Sequence, residues 1–196
     1  MKCLFDFVVT PKGERYNNTK KIGDSELVLN SEIFNHKFTN RQAIVKKTPL
    51  AITSPIRIND EIIVHHNVFR RYHDIRGKEK NGRSFFNENE FLIEHDQVYA
   101  YKRDGVWKCL QGYCFVQPIK NTNIFSDQKE EPLKGIVKYT DGTVKKDSLV
   151  GFTPHSEYEF TIDGVRMYRV LSKFITIKYE YQGNEEAYNP SWAQGS

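Results

Sequence analysis

Apolar residues in this chain come in short runs cut off by turn formers, and almost no stretch shows helical spacing. Phe5-Asp6-Phe7-Val8-Val9 stops at Pro11, and Ala43-Ile44-Val45 stops at Lys46-Lys47-Thr48-Pro49. Ile56-Arg57-Ile58 leads through the turn-forming Asn59-Asp60-Glu61 into Ile62-Ile63-Val64, a β-branched run suited to a buried strand. Phe91-Leu92-Ile93 follows, then a polar break at Glu94-His95-Asp96-Gln97, then the alternating Val98-Tyr99-Ala100-Tyr101. Many short strands with turns between them predict an all-β fold closed into a small barrel.

The second half repeats this plan. Phe115-Val116-Gln117-Pro118 echoes Val8-Val9-Thr10-Pro11, and Lys134-Gly135-Ile136-Val137-Lys138 echoes Gln42-Ala43-Ile44-Val45-Lys46. Lys146-Asp147-Ser148-Leu149-Val150 echoes Asn59-Asp60-Glu61-Ile62-Ile63. Met167 to Val170 and Phe174 to Lys178 echo Phe91 to Glu94 and Val98 to Lys102. The same order in both halves predicts a tandem duplication, with one barrel over 1–104 and a degenerate second over 113–181. The join falls near Asp104-Gly105 to Gly112, and the polar residues from 182 to 196 read as a flexible tail.

One stretch breaks the pattern. From Lys12 to Gln42 the chain is polar, and Lys12 to Asp24 offers only Tyr16 and Ile22 as large side chains, too little apolar surface to offset the entropy of ordering a backbone. The tract predicts a mobile loop, and a loop this long in a compact domain is usually functional or disordered. Its apolar triplet, Leu27-Val28-Leu29, could lie in a groove of another protein and order only on contact. The plainer alternative makes it a short strand packed on its own barrel. In the second half only Asn121 to Leu133 separates the first two strands, with no aliphatic triplet.

Composition narrows the function classes. The chain has 196 residues, 13% aromatic and 28% charged, and no apolar run near the roughly 18 residues that a membrane helix needs. The opening MKCLFDFVVTPKG carries an acid within its apolar run and is unlike a secretion signal, so a cytoplasmic location is expected. Cys3, Cys109 and Cys114 fit no zinc spacing and read as buried thiols without a disulfide. The net charge of +4 is concentrated between Arg70 and Arg83, where Arg70, Arg71, Arg76, Lys78, Lys80 and Arg83 face only Asp74 and Glu79. That leaves one basic insert, rather than a whole basic face, to meet phosphates. Tyr72, Phe85, Phe86, Tyr99 and Tyr101 could stack bases beside it, or serve as core and subunit contacts.

Catalytic patterns are weak. Gly23-Asp24-Ser25-Glu26-Leu27 has the shape of a hydrolase nucleophile block, but the residues before it are polar and the chain holds no Asp-x-x-His to supply a base. His65 and His66, with His73 and Asp74, suggest a metal, yet adjacent histidines in a strand point to opposite faces. The expectation is a protein that is not an enzyme, with no cofactor and no metal.

Taken in order, these elements resemble the GroES (chaperonin-10) co-chaperonins. The shared features are a strand ending in Val-x-Pro, a long loop with an aliphatic triplet, a Gly-Asp-like turn into a buried strand and a closing strand pair. The resemblance covers residues 4 to 102 and, more faintly, 113 to 179. Leu27, Val28 and Leu29 stand at the triplet with which the family's loop docks on the large chaperonin subunit. Asn59-Asp60 stands at the family's Gly-Asp turn, and Phe91-Leu92-Ile93-Glu94 at its closing strand. The chain departs from the family in having Asn59 for a glycine, Ser25-Glu26 for the loop's flanking glycines, a short 48–56 connection, the basic insert and a second repeat. The resemblance implies a homo-oligomeric ring that caps a GroEL-like chaperonin over an unfolded polypeptide, with nucleotide turnover left to the partner. The unusual length and divergence fit a viral co-chaperonin working in a host cytoplasm. The competing expectation is a nucleic-acid-binding or virion-associated β-barrel that uses residues 70–83.

Overall fold

The computed structural model describes residues 2–16, 39–123, 125–181 and 184–195, with the backbone alone described for 19–22, 25–28 and 194–195. Two compact units divide the chain, 1–106 and 107–196. The first holds β1 (Phe7–Pro11), β2 (Thr19–Ile22), β3 (Ser25–Val28), β4 (Gln42–Lys47), β5 (Glu61–Val64), β6 (Arg71–His73), β7 (Glu79–Asn81), β8 (Phe91–Ile93) and β9 (Val98–Arg103). The hairpin strand β10 (Val106–Cys109) carries the chain into the second, which holds β11 (Tyr113–Lys120), β12 (Glu130–Thr140), β13 (Leu149–Phe152), β14 (Tyr158–Ile162), β15 (Val165–Leu171) and β16 (Ile175–Tyr179). The fold is all-β and its ladders are antiparallel.

The main sheets are six-stranded, in the orders β10-β9-β5-β4-β1-β8 and β14-β15-β11-β12-β13-β16. Among the described residues neither closes on itself into the expected barrel. The β8 edge is covered instead, because Leu92 N donates to Ser84 O at 2.7 Å and Phe85 bridges Phe91. In the first unit Phe7, Val8 and Val9 are all buried, as a central strand covered on both faces requires. Phe69 and Phe91 meet edge to face there, with ring centroids 4.8 Å apart.

Register ties the two sheets together residue by residue. Val9, Thr10 and Pro11 pair with Val45, Ile44 and Ala43, just as Val116, Gln117 and Pro118 pair with Val137, Ile136 and Gly135. Both ladders carry an irregularity one step earlier, between Val8 and Val9 and between Phe115 and Val116. Ile62 and Ile63 face Tyr101 and Ala100, while Val150 and Gly151 face Lys178 and Ile177, each followed by a bulge. A 3₁₀ turn precedes the last of these strands in both units, His95–Gln97 and Ser172–Phe174.

The equivalence corrects three of the sequence echoes by one residue, the first of them at the last strand, where Tyr101 corresponds to Lys178 rather than to Ile177. Asn59 and Asp147 both have positive φ, 71° and 62°. Their N–H groups donate to Val45 O and Val137 O, both at 2.8 Å, so Asn59 corresponds to Asp147 rather than to Lys146. The ladders of β1 and β11 likewise set Leu92 opposite Val8 and Arg169 opposite Phe115, so Phe91 corresponds to Tyr168. Asn and Asp tolerate the left-handed conformation because a short polar side chain can bond locally. One equivalent pair has diverged sterically: a Cβ on Gly135 would lie 2.4 Å from Gln117 O, whereas Ala43 occupies the matching place in β4.

Within the expected tail, residues 186–193 are bonded into or buried in the second unit. Lys120 N donates to Glu186 O at 2.8 Å and Tyr188 N to Pro118 O at 2.7 Å, with Ala187 bridging Ile119. Asn189 accepts from Arg166 N and donates to Gly164 O, and Ala193 is fully buried.

Candidate functional site: the loop between the first two strands

The long loop is anchored at both ends. Lys12 N donates to Gln42 O at 3.0 Å, and the Asn40 side chain donates to the carbonyls of Lys12 and Glu14 at 2.9 and 2.8 Å. Asn40 N reaches Arg15 O, and Asn40 Oδ1 accepts from Gln42 N. Tyr16 bridges Thr39, and Tyr16, Thr39 and Asn40 are all buried. The sequence expectation of a mobile tract from 12 to 42 is therefore corrected at its ends, where residues 12–16 and 39–42 belong to the packed unit. A buried tyrosine and a multiply bonded asparagine supply what the polar composition concealed.

Arg15 is the residue that composition could not single out. Its guanidinium donates to Phe69 O at 3.0 Å and to Asn81 Oδ1 at 2.9 Å, and lies 5.0 Å from the centroid of Phe91. Burial, and then the nearby Arg71, hold its pKa below the ordinary arginine value.

Between these anchors β2 and β3 form an antiparallel ribbon with Thr19 opposite Val28, Lys20 opposite Leu27, Lys21 opposite Glu26 and Ile22 opposite Ser25. Among the described residues the ribbon shares no ladder with either six-stranded sheet. Leu27 and Val28 thus lie in a strand of this separate ribbon, while Leu29 lies outside the described residues. Ser25 opens β3 and does not follow a strand of the main sheet, as a nucleophile block would require.

The basic insert packs beside the loop base. Its strands β6 and β7 pair Arg71 with Asn81, Tyr72 with Lys80 and His73 with Glu79. The turn is organised by Asp74, whose carboxylate accepts from Arg76 N at 2.9 Å and Lys78 N at 3.0 Å, bonds that hold its pKa below the usual carboxylate range. Arg71 N donates to Tyr16 Oη at 2.6 Å, and its guanidinium stacks over that ring and pairs with Glu79 at 2.9 Å. Arg83 pairs with Glu94 at 2.9 Å. Of the six cations singled out, Arg71 and Arg83 are thus engaged with carboxylates, and Arg70 is half-buried. Arg76, Lys78 and Lys80 are exposed.

The aromatic candidates divide. Tyr99 and Tyr101 are buried in β9, whereas Tyr72 and Phe86 are exposed. His65 and His66 lie beyond the end of β5 rather than within it, so strand alternation does not separate them, and their rings stack at 4.2 Å. Among the described residues no group of three or more His, Cys, Asp or Glu could hold a metal ion. Cys109 and Cys114 are buried thiols and Cys3 is half-buried.

Two carboxylates brace backbone turns, one in each unit. Asp60 accepts from Arg57 N at 2.8 Å and is gripped by Arg103, whose Nη2 and Nε lie 2.5 and 3.2 Å from its two oxygens. Asp141 accepts from Gly112 N at 2.7 Å and from the Ser172 hydroxyl at 3.1 Å. Burial alone would raise the pKa of Asp141, but these bonds and those from Thr143 bring it below the usual carboxylate value. No family model matches the chain, and no curated protein matches it.

Proposed function

We propose that this protein is a divergent GroES-like co-chaperonin, built from two tandem β-barrel-type units, that caps a large chaperonin ring and assists folding of a polypeptide enclosed there. One observation carries the reading: a ribbon bearing Leu27 and Val28, separate from the main sheets, hangs from a clamp of buried Tyr16, Thr39 and Asn40 between the first two strands of an antiparallel sheet. The clamp fixes the two ends of the loop that carries the ribbon, and the aliphatic residues supply the contact. Each buried aliphatic side chain is worth about 1.5–3 kcal/mol, weak alone, so a homo-oligomeric ring is needed to add such contacts into a stable cap. The chain itself hydrolyses nothing in this scheme; ATP belongs to the partner.

Val28→Asp tests the reading, because it removes one aliphatic contact and forces a charge into an apolar groove. ATP-dependent capture by a purified GroEL-like chaperonin should be lost, with thermal unfolding unchanged. Retained capture, or a large fall in melting temperature, would sink the proposal. The alternative, nucleic-acid binding by the insert, is favoured by exposed Arg76, Lys78 and Lys80 next to exposed Tyr72. A salt titration separates the two, since phosphate binding weakens steeply with salt and aliphatic docking does not.

A further inference from the structure

The hairpin of β6 and β7 ends in a tip that the core of its unit does not use. Ile75 is fully exposed there, and Arg76, Lys78 and Lys80 are exposed with it. The turn that carries them is braced. Asp74 N donates to Lys78 O and Gly77 N to Asp74 O, both at 2.9 Å, and the Asp74 carboxylate accepts from the N–H groups of Arg76 and Lys78. That carboxylate is spent on its own backbone and Glu79 is paired with Arg71, so the three exposed cations set the charge of the tip. A braced turn loses little conformational freedom when it is buried against a partner.

The same unit carries a surface of the opposite character. Leu50 N donates to Cys3 O at 3.0 Å and Ala51 N to Leu4 O at 2.8 Å, and the next residue of each segment, Phe5 and Ile52, lines an open recess. Asp6, Glu94, His95 and Asp96 complete its lining. Glu94 is paired with Arg83, and Asp6 and Asp96 keep the recess acidic. Phe5 is 62% exposed, so the apolar part of the recess is open to a partner. Ile75, fully exposed, does not occupy the recess of its own copy. We propose that the β6–β7 tip of one copy docks in this recess of a second copy, with Ile75 against Phe5 and Ile52 and the tip cations facing Asp6, Glu94 and Asp96. The occupant is a second copy because the chain supplies both halves of the contact, each with apolar surface and the two opposite in charge. Opposite charges steer the encounter and orient it, and burial of the aliphatic side chain holds it. The contact is head-to-tail: each copy gives a tip and takes one, so association continues past a pair. It stands apart from the co-chaperonin reading, because it needs no chaperonin.

Sedimentation velocity of the full chain over rising concentration, with no chaperonin present, tests the contact. Wild type should form species larger than a pair as concentration rises. Ile75→Asp removes the apolar contact of the tip, and Asp96→Lys reverses a charge of the recess. Each alone should weaken association about tenfold or more, with melting curves that superimpose on wild type. Lys78→Glu, which reverses a charge from the tip side, should also weaken it. An equimolar mixture of Ile75→Asp and Asp96→Lys should recover association but stop at a pair, since each pair then joins one intact tip to one intact recess. Wild type that stays monomeric, variants that associate as wild type does, or a mixture that recovers nothing would each overturn the proposal. Variants that keep wild-type association but lose binding to a single-stranded oligonucleotide would overturn it too, and give the tip to nucleic acid. A marked fall in the melting temperature of Ile75→Asp would also count against it, by making Ile75 a structural residue.

Discussion

At the scale of single residues, Arg166 holds together the most densely connected polar cluster among the described residues of the second unit. Its guanidinium pairs with Glu130, donates to Glu159 Oε2 at 2.7 Å and to Tyr168 Oη, and lies 4.8 Å from the Tyr168 ring centroid. Burial would lower its pKa, and the two carboxylates more than reverse that. Arg166→Met should leave two carboxylates facing each other without their cation, and cost about 2–4 kcal/mol in denaturant unfolding. The half-exposed Glu159 keeps the loss at the lower end of what a broken buried pair costs. An unchanged midpoint would show that solvent screens the cluster. None of this was legible in the sequence, where Glu130 and Arg166 are far apart and nothing marks them as partners. The turn at Asn59 was legible: the sequence marks Asn59-Asp60-Glu61 as turn formers, and the φ of 71° at Asn59 is one that asparagine tolerates.

At the scale of elements, apolar runs gave away the strands that the core buries. Phe91–Ile93 is β8 as the sequence marks it, and Ala43–Val45 and Ile62–Val64 lie within β4 and β5. The strands β6 and β7 were illegible because they are polar and solvated; their order comes from cross-strand pairing and from the turn that Asp74 organises. The tail was misleading for a related reason. Its composition is polar, but backbone groups of Glu186 and Tyr188 complete the ladder of β11, and Ala193 fills a buried position. Stopping the chain after Tyr181 should therefore lower the stability of the second unit by about 2–4 kcal/mol, at roughly 1 kcal/mol for each hydrogen bond lost. An unaltered urea midpoint would return the segment to the loose tail its composition suggests.

At the scale of the whole molecule, the second unit carries buried groups that tie its stability to alkaline pH. Burial raises the pKa of Cys109, Tyr139 and Tyr168, with Glu130 adding to the effect at Tyr168, and all three belong to the second unit. A folded-state pKa above the unfolded one means that stability is full below the ordinary values of 9.0 for the thiol and 10.0 for the phenols, and is lost as pH rises past them. Trp192 lies in the second unit and Trp107, on β10, donates to Asp163 there, so intrinsic fluorescence reports on it. Fluorescence-detected stability should fall between pH 9 and about 11, ahead of the loss of total β signal, and Cys109→Ala should remove the earlier part of the fall. A fluorescence midpoint that stays level to pH 11 would contradict this. The repeated order of strands was legible from the first, since each apolar run recurs with its neighbours, whereas the expected closure into a barrel is not seen among the described residues, since pairing at a sheet edge leaves no trace in composition. The contrast at Gly135 limits which sequences each ladder accepts. Ala43 and Gly135 hold the same place in the two ladders, yet an alanine at 135 would drive its methyl group into the backbone of Gln117. The two ladders, alike in register, are therefore not interchangeable in sequence at this position.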